Sequence, residues 1–330
     1  MTAKLELGIC LFELRSGESQ EIRPWDLLEA AEWADKSGLD YLALPDRVSR
    51  PVPRFDTLTL MAALALRTQR IRMKTHVFVA PLRHPIELAR RIVTVDHLSK
   101  GRFIFAVGLG GGEKAQEAEN SVYHKEFVDV GIPRQERGGR TNEILAALRI
   151  LWTEPLASFQ GKYFRFDNVT FEPKPYQKPH PPIWVGGNSE AALRRTARFA
   201  TGWAASLELA AYLFESFPAA HSRLKALMKE EGREGESMHV SVCLKVNVNP
   251  DIEKAQREAE EFWKLQLSSI EGAMPFGIKK EYGVYGSSEE LVDRLEEIQS
   301  LGVNSVILHL HSFDLKAQLR RLEKEVLPKI

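Results

Sequence analysis

Residues Met73–Gly112 read MKTHVFVAPLRHPIELARRIVTVDHLSKGRFIFAVGLGGG, and this stretch decides the fold. Ile71 to Val79 is apolar and rich in β-branched residues, which favours a strand, and Pro81 and Pro85 stop it. Ile86 to Leu98 then carries apolar residues at helical spacing, and Phe103 to Val107 begins a second buried strand. Two strands joined through a helix are parallel, so this is a βαβ unit. The second strand runs into Gly108, Gly110, Gly111 and Gly112, interrupted only by Leu109. Such a cluster either lets a ligand approach bare backbone or makes a tight turn, and the residues alone leave both open.

The same alternation extends outward on both sides. Leu5 to Phe12 reads as a strand, Pro24 opens a helix through Lys36 that Gly38 closes, Tyr41 to Leu44 is a strand and Phe55 to Leu66 a helix. Arg140 to Leu151 is amphipathic. Strands follow at Ile183–Val185, Thr201–Ser206, His239–Val248 and Ser305–Leu310, with helices at Ser189–Phe199, Ala210–Glu231, Ile252–Ser269 and Leu315–Glu325. Eight βα pairs predict a (β/α)8 TIM barrel, with residues 1–330 as one domain. Two segments break the pattern. Residues 154–182 alternate aromatics and then run through PKPYQKPHPP, which predicts an inserted surface hairpin with an extended return. Residues 272–285, rich in glycine and aromatics, precede a capped helix at Ser287–Leu301 and read as a lid or an ordinary loop.

Composition narrows the function. The chain has 45 basic and 45 acidic side chains, so no net field recruits nucleic acid or an anionic membrane. The N-terminus has no basic region followed by an apolar stretch, and no apolar run is long enough for a membrane span, so a cytoplasmic protein is expected. Cys10 and Cys243 sit in apolar runs without paired spacing and read as small buried hydrophobes.

Several stretches together carry a family resemblance: THVFVAPLRHP, VDHLSKGRF, VGLGGG, FQGKYFRF, PPIWVGGNSEAALRRTARFATGW and GVYGSSEELVDRLEEIQSLGVNSVIL. The chain resembles the bacterial luciferase-like superfamily of flavin- and deazaflavin-dependent oxidoreductases over nearly its whole length. The resemblance implies a TIM barrel with insertions at the C-terminal face of its strands, holding reduced FMN or an 8-hydroxy-5-deazaflavin coenzyme there. It also implies a bulge in the third strand with a non-proline cis peptide between His76 and Val77, pressed against the cofactor ring. The cofactor-binding set is then His76, Val77, Gly108, Gly110, Gly186, Gly187, Asn188 and Ser189. The last four stand where a strand enters a helix N-terminus, a favourable place for a phosphate, although Asn188 or Ser189 also serves as a helix cap without any ligand. Two departures count against aldehyde-oxidising light emission. Asp46 and Arg47 stand where relatives carry a histidine after the second strand, and Leu109 replaces an arginine.

Catalytic candidates are His76, Asp46, Arg47 and His311. His76 is read as a donor to the ring edge, or a proton shuttle near neutral pH, or a structural histidine. Asp46 and Arg47 lie at a strand end, a catalytic location in barrels, but also form a plain ion pair. His84 and His97 read as caps or anchors, and Glu113 as a cap or a group facing the mouth. His309 and His311 share one face of a strand, a spacing that can hold a metal. The first strand supplies no histidine partner and no HExxH motif is present, so no metal is expected. The leading expectation is a two-component monooxygenase, in which a separate flavin reductase delivers reduced FMN and apolar Phe12, Val77, Phe105 and Leu109 exclude water while a small organic substrate is oxygenated. Deazaflavin-dependent hydride transfer is the alternative, and a non-catalytic flavin-binding protein the alternative of another class. A homodimer through the second and third helices is expected.

Overall fold

A computed structural model describes residues 4–11, 24–49, 54–111, 122–267 and 283–330. Phe12, Gly112, Glu113 and residues 272–282 of the expected lid lie outside them.

The first half of the chain runs β1 (Glu6–Cys10), α1 (Pro24–Ser37), β2 (Tyr41–Leu44), α2 (Thr57–Arg67), β3 (Arg72–Thr75), β4 (Phe78–Val79), α3 (Pro85–Leu98), β5 (Phe103–Gly108), α4 (Val122–Asp129) and α5 (Arg137–Thr153). A hairpin follows, β6 (Ala157–Gln160) and β7 (Arg165–Val169), and then β8 (Ile183–Gly186), α6 (Glu190–Phe199), β9 (Gly202–Ala205), α7 (Leu207–Phe214) and α8 (Phe217–Glu230). The chain closes with β10 (His239–Val248), α9 (Ile252–Leu267), β11 (Gly283–Gly286), α10 (Ser288–Ser300), β12 (Ser305–Leu310) and α11 (Leu315–Arg321). Strands β1, β2, β3, β5, β8, β9, β10 and β12 pair in that order, and β12 returns to β1, so eight parallel strands close a barrel. The eight strands expected from the sequence are the eight of the barrel.

Two sets of apolar side chains follow from the strand alternation. One set, with Leu7, Ile9, Leu42, Leu44, Phe105 and Val107, packs outward under the helices. The other, with Cys10, Tyr41, Ala43, Ile104, Ala106, Trp184 and Ile307, packs inside the barrel with Val77 against it. Every residue of β5 is buried, as a strand covered on both faces requires.

Local sequence explains most boundaries. Asp56 caps α2 by accepting from Thr59 N at 2.9 Å, and Ser287 with Glu290 makes a reciprocal capping box at α10. The hairpin expected within 154–182 is present as antiparallel β6 and β7. Its turn is pinned to α5, because Glu143 accepts from the backbone N–H groups of Lys162, Tyr163 and Phe164 at 2.7, 2.9 and 3.1 Å.

Four expectations change. The strand read over Ile71–Val79 divides into β3 and β4, with His76 and Val77 between them. The helix read over Ala210–Glu231 is two, because Glu215 adopts φ +64° and Ser216 caps α8 by accepting from Ala219 N. The segment before Arg137, to which the sequence reading assigned no element, holds α4. The end of the expected lid loop is strand β11, which pairs with the last four residues of β10. No described helix is long and apolar enough to cross a membrane.

Candidate active site

The site begins at the interruption between β3 and β4. The His76–Val77 peptide is cis, as the resemblance implied. Backbone pairing of β3 with β5 stops after Lys74 and resumes when Phe78 of β4 meets Val107. The Thr75 hydroxyl fills the gap by donating to Ala106 O at 2.6 Å and accepting from Ala106 N at 2.9 Å. His76 N donates to Leu44 O at 2.7 Å, and Val79 N donates to Asp46 Oδ2 at 2.9 Å, so both sides of the bulge are tied to the end of β2.

Val77 turns its half-buried side chain onto two glycines. A Cβ on Gly108 would collide with Val77 Cγ2, and one on Gly186 would come to 3.0 Å from Val77 Cγ1. These glycines therefore make room for the bulge residue. Gly110 has φ +78°, and an added Cβ would lie 2.9 Å from Val79 Cγ1, so it is a turn residue packed against β4. Gly187 has φ +109° and leads into α6. Asn188 is 1% exposed and spends its amide on Ser206, donating to its carbonyl at 3.1 Å and accepting from its N–H at 2.9 Å. Ser189 is the N-cap of α6, accepting from Ala192 N at 3.3 Å. Of the four residues expected at a phosphate, Asn188 is thus a loop clamp, and Ser189 with the first turn of α6 keeps the anion-favouring geometry.

Asp46 and Arg47 are each paired, though not with one another. Asp46 is 2% exposed; besides Val79 N, its carboxylate accepts from Arg83 at 3.1 and 3.2 Å and from the Thr57 hydroxyl at 3.2 Å. Arg47 reaches Glu126 on α4 at 3.4 Å, and Glu126 also accepts from Val48 N at 2.5 Å. Both side chains are braces, one for the bulge and one for α4. His84 caps α3 by accepting from Ile86 N, and His97 Nε2 lies 2.9 Å from Lys174 O, so these two act as the sequence suggested.

The inward faces of β3, β10 and β12 hold a column of polar groups. At its base the Tyr41 hydroxyl donates to Glu6 at 2.5 Å, and His239 stacks on Trp184 with centroids 4.6 Å apart and meets Ser305 Oγ at 2.9 Å. Above them Lys74 is fully buried, with Nζ 3.0 Å from Ser241 Oγ and 4.4 Å from the Trp184 ring centroid. Burial pulls its ammonium down to about 7. Nearer the mouth, His76 and His309 meet edge to face at 5.0 Å. Burial first, then Lys74, pulls His76 down to about 3, which favours the neutral imidazole at pH 7. His311 is 3% exposed, lies 5.0 Å from Phe262 and 5.8 Å from Trp263 in stacked geometry, and burial, then Lys245, brings it to about 3. It too is a neutral ring.

Sequence reasoning missed Lys74 and Lys245 and misread Cys243, which is half-buried at the mouth and whose sulfur lies near the imidazoles of His76 and His309. The signal was present. Counting back by two from His76 gives Lys74 and Arg72, and β10 alternates His239, Ser241, Cys243 and Lys245.

Comparison with known proteins completes the picture. The family model described as luciferase-like monooxygenase matches residues 6–305. The chain belongs to this family. An uncharacterized protein of Mycobacterium tuberculosis is 36% identical over 162 residues, covering 49% of this chain and 52% of the relative, so the chain spans about half the length of such curated relatives. An F420-dependent glucose-6-phosphate dehydrogenase of Nakamurella multipartita is 24% identical over 94% of both chains. An FMNH(2)-dependent dimethylsulfone monooxygenase of Pseudomonas putida is 29% identical over 53% of this chain and 47% of the relative. Among solved structures, a monooxygenase from Streptomyces bottropensis superposes with a TM-score of 0.79 at 21% identity, covering 98% of this chain and 99% of that one, a likeness of fold.

Proposed function

We propose that the barrel mouth binds reduced FMN, supplied by a separate reductase, and that the chain uses it with dioxygen to oxygenate a small organic substrate. The residues present fit such a cofactor. Val77 offers an apolar shelf for a flat ring, and beside it His76 Nδ1 is buried without a hydrogen-bond partner among the described residues. Gly186 and Gly187 lead to the N-terminus of α6, where Ser189 and the free N–H groups of the first turn suit a phosphate. When bound, the reduced ring supplies the electrons that activate dioxygen. The protein's own part is to hold that ring and keep water from it.

The oxygenase reading rests on the placing of His76, His309 and His311 around the half-buried Val77 side chain at the mouth, in surroundings whose burial disfavours charge on the imidazoles. His76 and His311 are held neutral by burial, and His309 is pushed well below its ordinary value by burial and its neighbours His76 and His311. Neutral imidazoles beside an apolar shelf suit a reaction whose reactive species is lost to water. A second reading, hydride transfer with a deazaflavin, draws support from the F420-dependent dehydrogenases that match this chain end to end. A homodimer through α2 and α3 belongs to the same proposal.

Equilibrium binding of reduced FMN and of the deazaflavin, followed by oxygen uptake with a flavin reductase and a panel of small substrates, tests the proposal. Tight FMN binding with substrate-dependent oxygen uptake is expected. Preferential deazaflavin binding with no oxygen uptake selects the second reading, and FMN binding without turnover on any substrate reduces the chain to a flavin-binding protein.

A further inference from the structure

Three barrel strands bring soft donor atoms to one point at the mouth. His76 leaves the end of β3, Cys243 stands on β10 and His309 on β12, and their imidazole nitrogens and thiol sulfur lie within 4.8 Å of one another. Strands β10 and β12 are neighbours, whereas β3 lies across the barrel from them, so the meeting is made by the barrel's closure and not by local sequence. The three side chains are half-buried, and His76 Nδ1 has no hydrogen-bond partner among the described residues.

We propose that His76, Cys243 and His309 bind one soft or borderline transition-metal cation, with zinc as the probe, and leave a fourth position open toward the mouth. Two imidazoles and a thiolate select zinc-like ions over magnesium or calcium, which take oxygen ligands. Metal–nitrogen bonds of about 2.0 Å and a metal–sulfur bond of about 2.3 Å bring tetrahedral donors to roughly 3.3–3.6 Å from one another. The three donor atoms lie no more than 4.8 Å apart, so any closure on binding is at most about 1.5 Å, within reach of χ rotations on half-buried side chains.

The charged groups around the three donors oppose a cation. Lys74 on β3 lies close enough to act on His76 and His309, and Lys245 on β10 acts on His309 and His311. The site therefore binds more weakly than one backed by carboxylates, and the inner-sphere bond to sulfur must supply most of the affinity. The Cys10 thiol, whose residue is the register partner of His309 on β1, is the nearest competitor for the sulfur role.

The test uses the cofactor-free chain, so its outcome is separate from that of the flavin reading. Titration with Co(II) is expected to give one equivalent of a four-coordinate spectrum with a thiolate-to-cobalt charge-transfer band that zinc abolishes. Cys243→Ser is expected to remove that band, His309→Ala to weaken zinc binding at least tenfold, Cys10→Ser to change neither, and Lys74→Met to tighten binding. No band in the unaltered chain, a band that survives Cys243→Ser, or one lost in Cys10→Ser overturns the proposal. X-ray absorption of the zinc-loaded unaltered chain needs no variant. One sulfur and two imidazoles are expected, and an all-oxygen shell or one without sulfur overturns it.

Discussion

Gly108→Ala tests how the cofactor shelf is built. The added methyl would collide with Val77 Cγ2 but would stand 3.4 Å from Val77 Cβ, an ordinary contact. The backbone at Gly108 is not in the left-handed region, so the steric meeting with Val77 is the whole effect. Overpacking of this kind costs about 1–3 kcal/mol. Gly186→Ala, with 3.0 Å to Val77 Cγ1, should cost less. Shortening Val77 to alanine removes the methyls that collide and keeps the Cβ that does not. The penalty of Gly108→Ala should therefore nearly vanish in a Val77→Ala background, leaving a coupling of about 1–3 kcal/mol in the double-mutant cycle. Urea unfolding of the four proteins measures it, and FMN affinity should fall in Gly108→Ala as the shelf is displaced. Additive effects, or a Gly108→Ala chain as stable as the original, would refute this account of the glycines.

Other outcomes follow from single contacts. Asp46→Ala leaves the Arg83 guanidinium, 13% exposed, without its carboxylate and should cost about 3–5 kcal/mol, whereas Asp46→Asn keeps an acceptor for Val79 N and should cost less; thermal unfolding separates the two. Ser189→Ala should remove about 1 kcal/mol of cap stability and weaken FMN binding while leaving riboflavin binding unchanged, which fluorescence titration of the two flavins reads directly. Asp35 anchors the turn into β3. Burial pushes its carboxyl up, but the N–H groups of Ile71, Gln69 and Arg70 more than offset this and hold it below the ordinary value. A carboxyl depressed on folding stabilises above its unfolded pKa and loses that contribution as pH falls through the folded one. The stability gap between the original chain and Asp35→Asn should therefore be full at neutral pH and shrink below about pH 4, as urea midpoints across that range will show.

The barrel was legible because its signals are local. Proline and glycine punctuation, β-branched runs and helical spacing marked all eight barrel strands. What escaped was set by contacts distant in sequence. β11 is only four residues long and exists because β10 extends past β9 to pair with it. The break between α7 and α8 turns on one residue, Glu215, in a conformation its side chain does not advertise. At the site, the family resemblance located His76 and Val77. Asp46 looked catalytic from its position at a strand end, yet its partners Val79 and Arg83 lie 33 and 37 residues away, and no spacing rule reveals them. Lys74 and Cys243 were hidden differently: each sits in an apolar run, where only the inward alternation of its strand separates a core residue from one lining the barrel.

In the proposed complex, Val77 and the N-terminus of α6 together hold one cofactor, ring at the first and phosphate at the second. A crystal structure with reduced FMN bound tests this most directly. The account predicts the ring against Val77 beside His76, with the phosphate at the Ser189 end of α6. A ring seated away from Val77, or a phosphate held by another element, would contradict it.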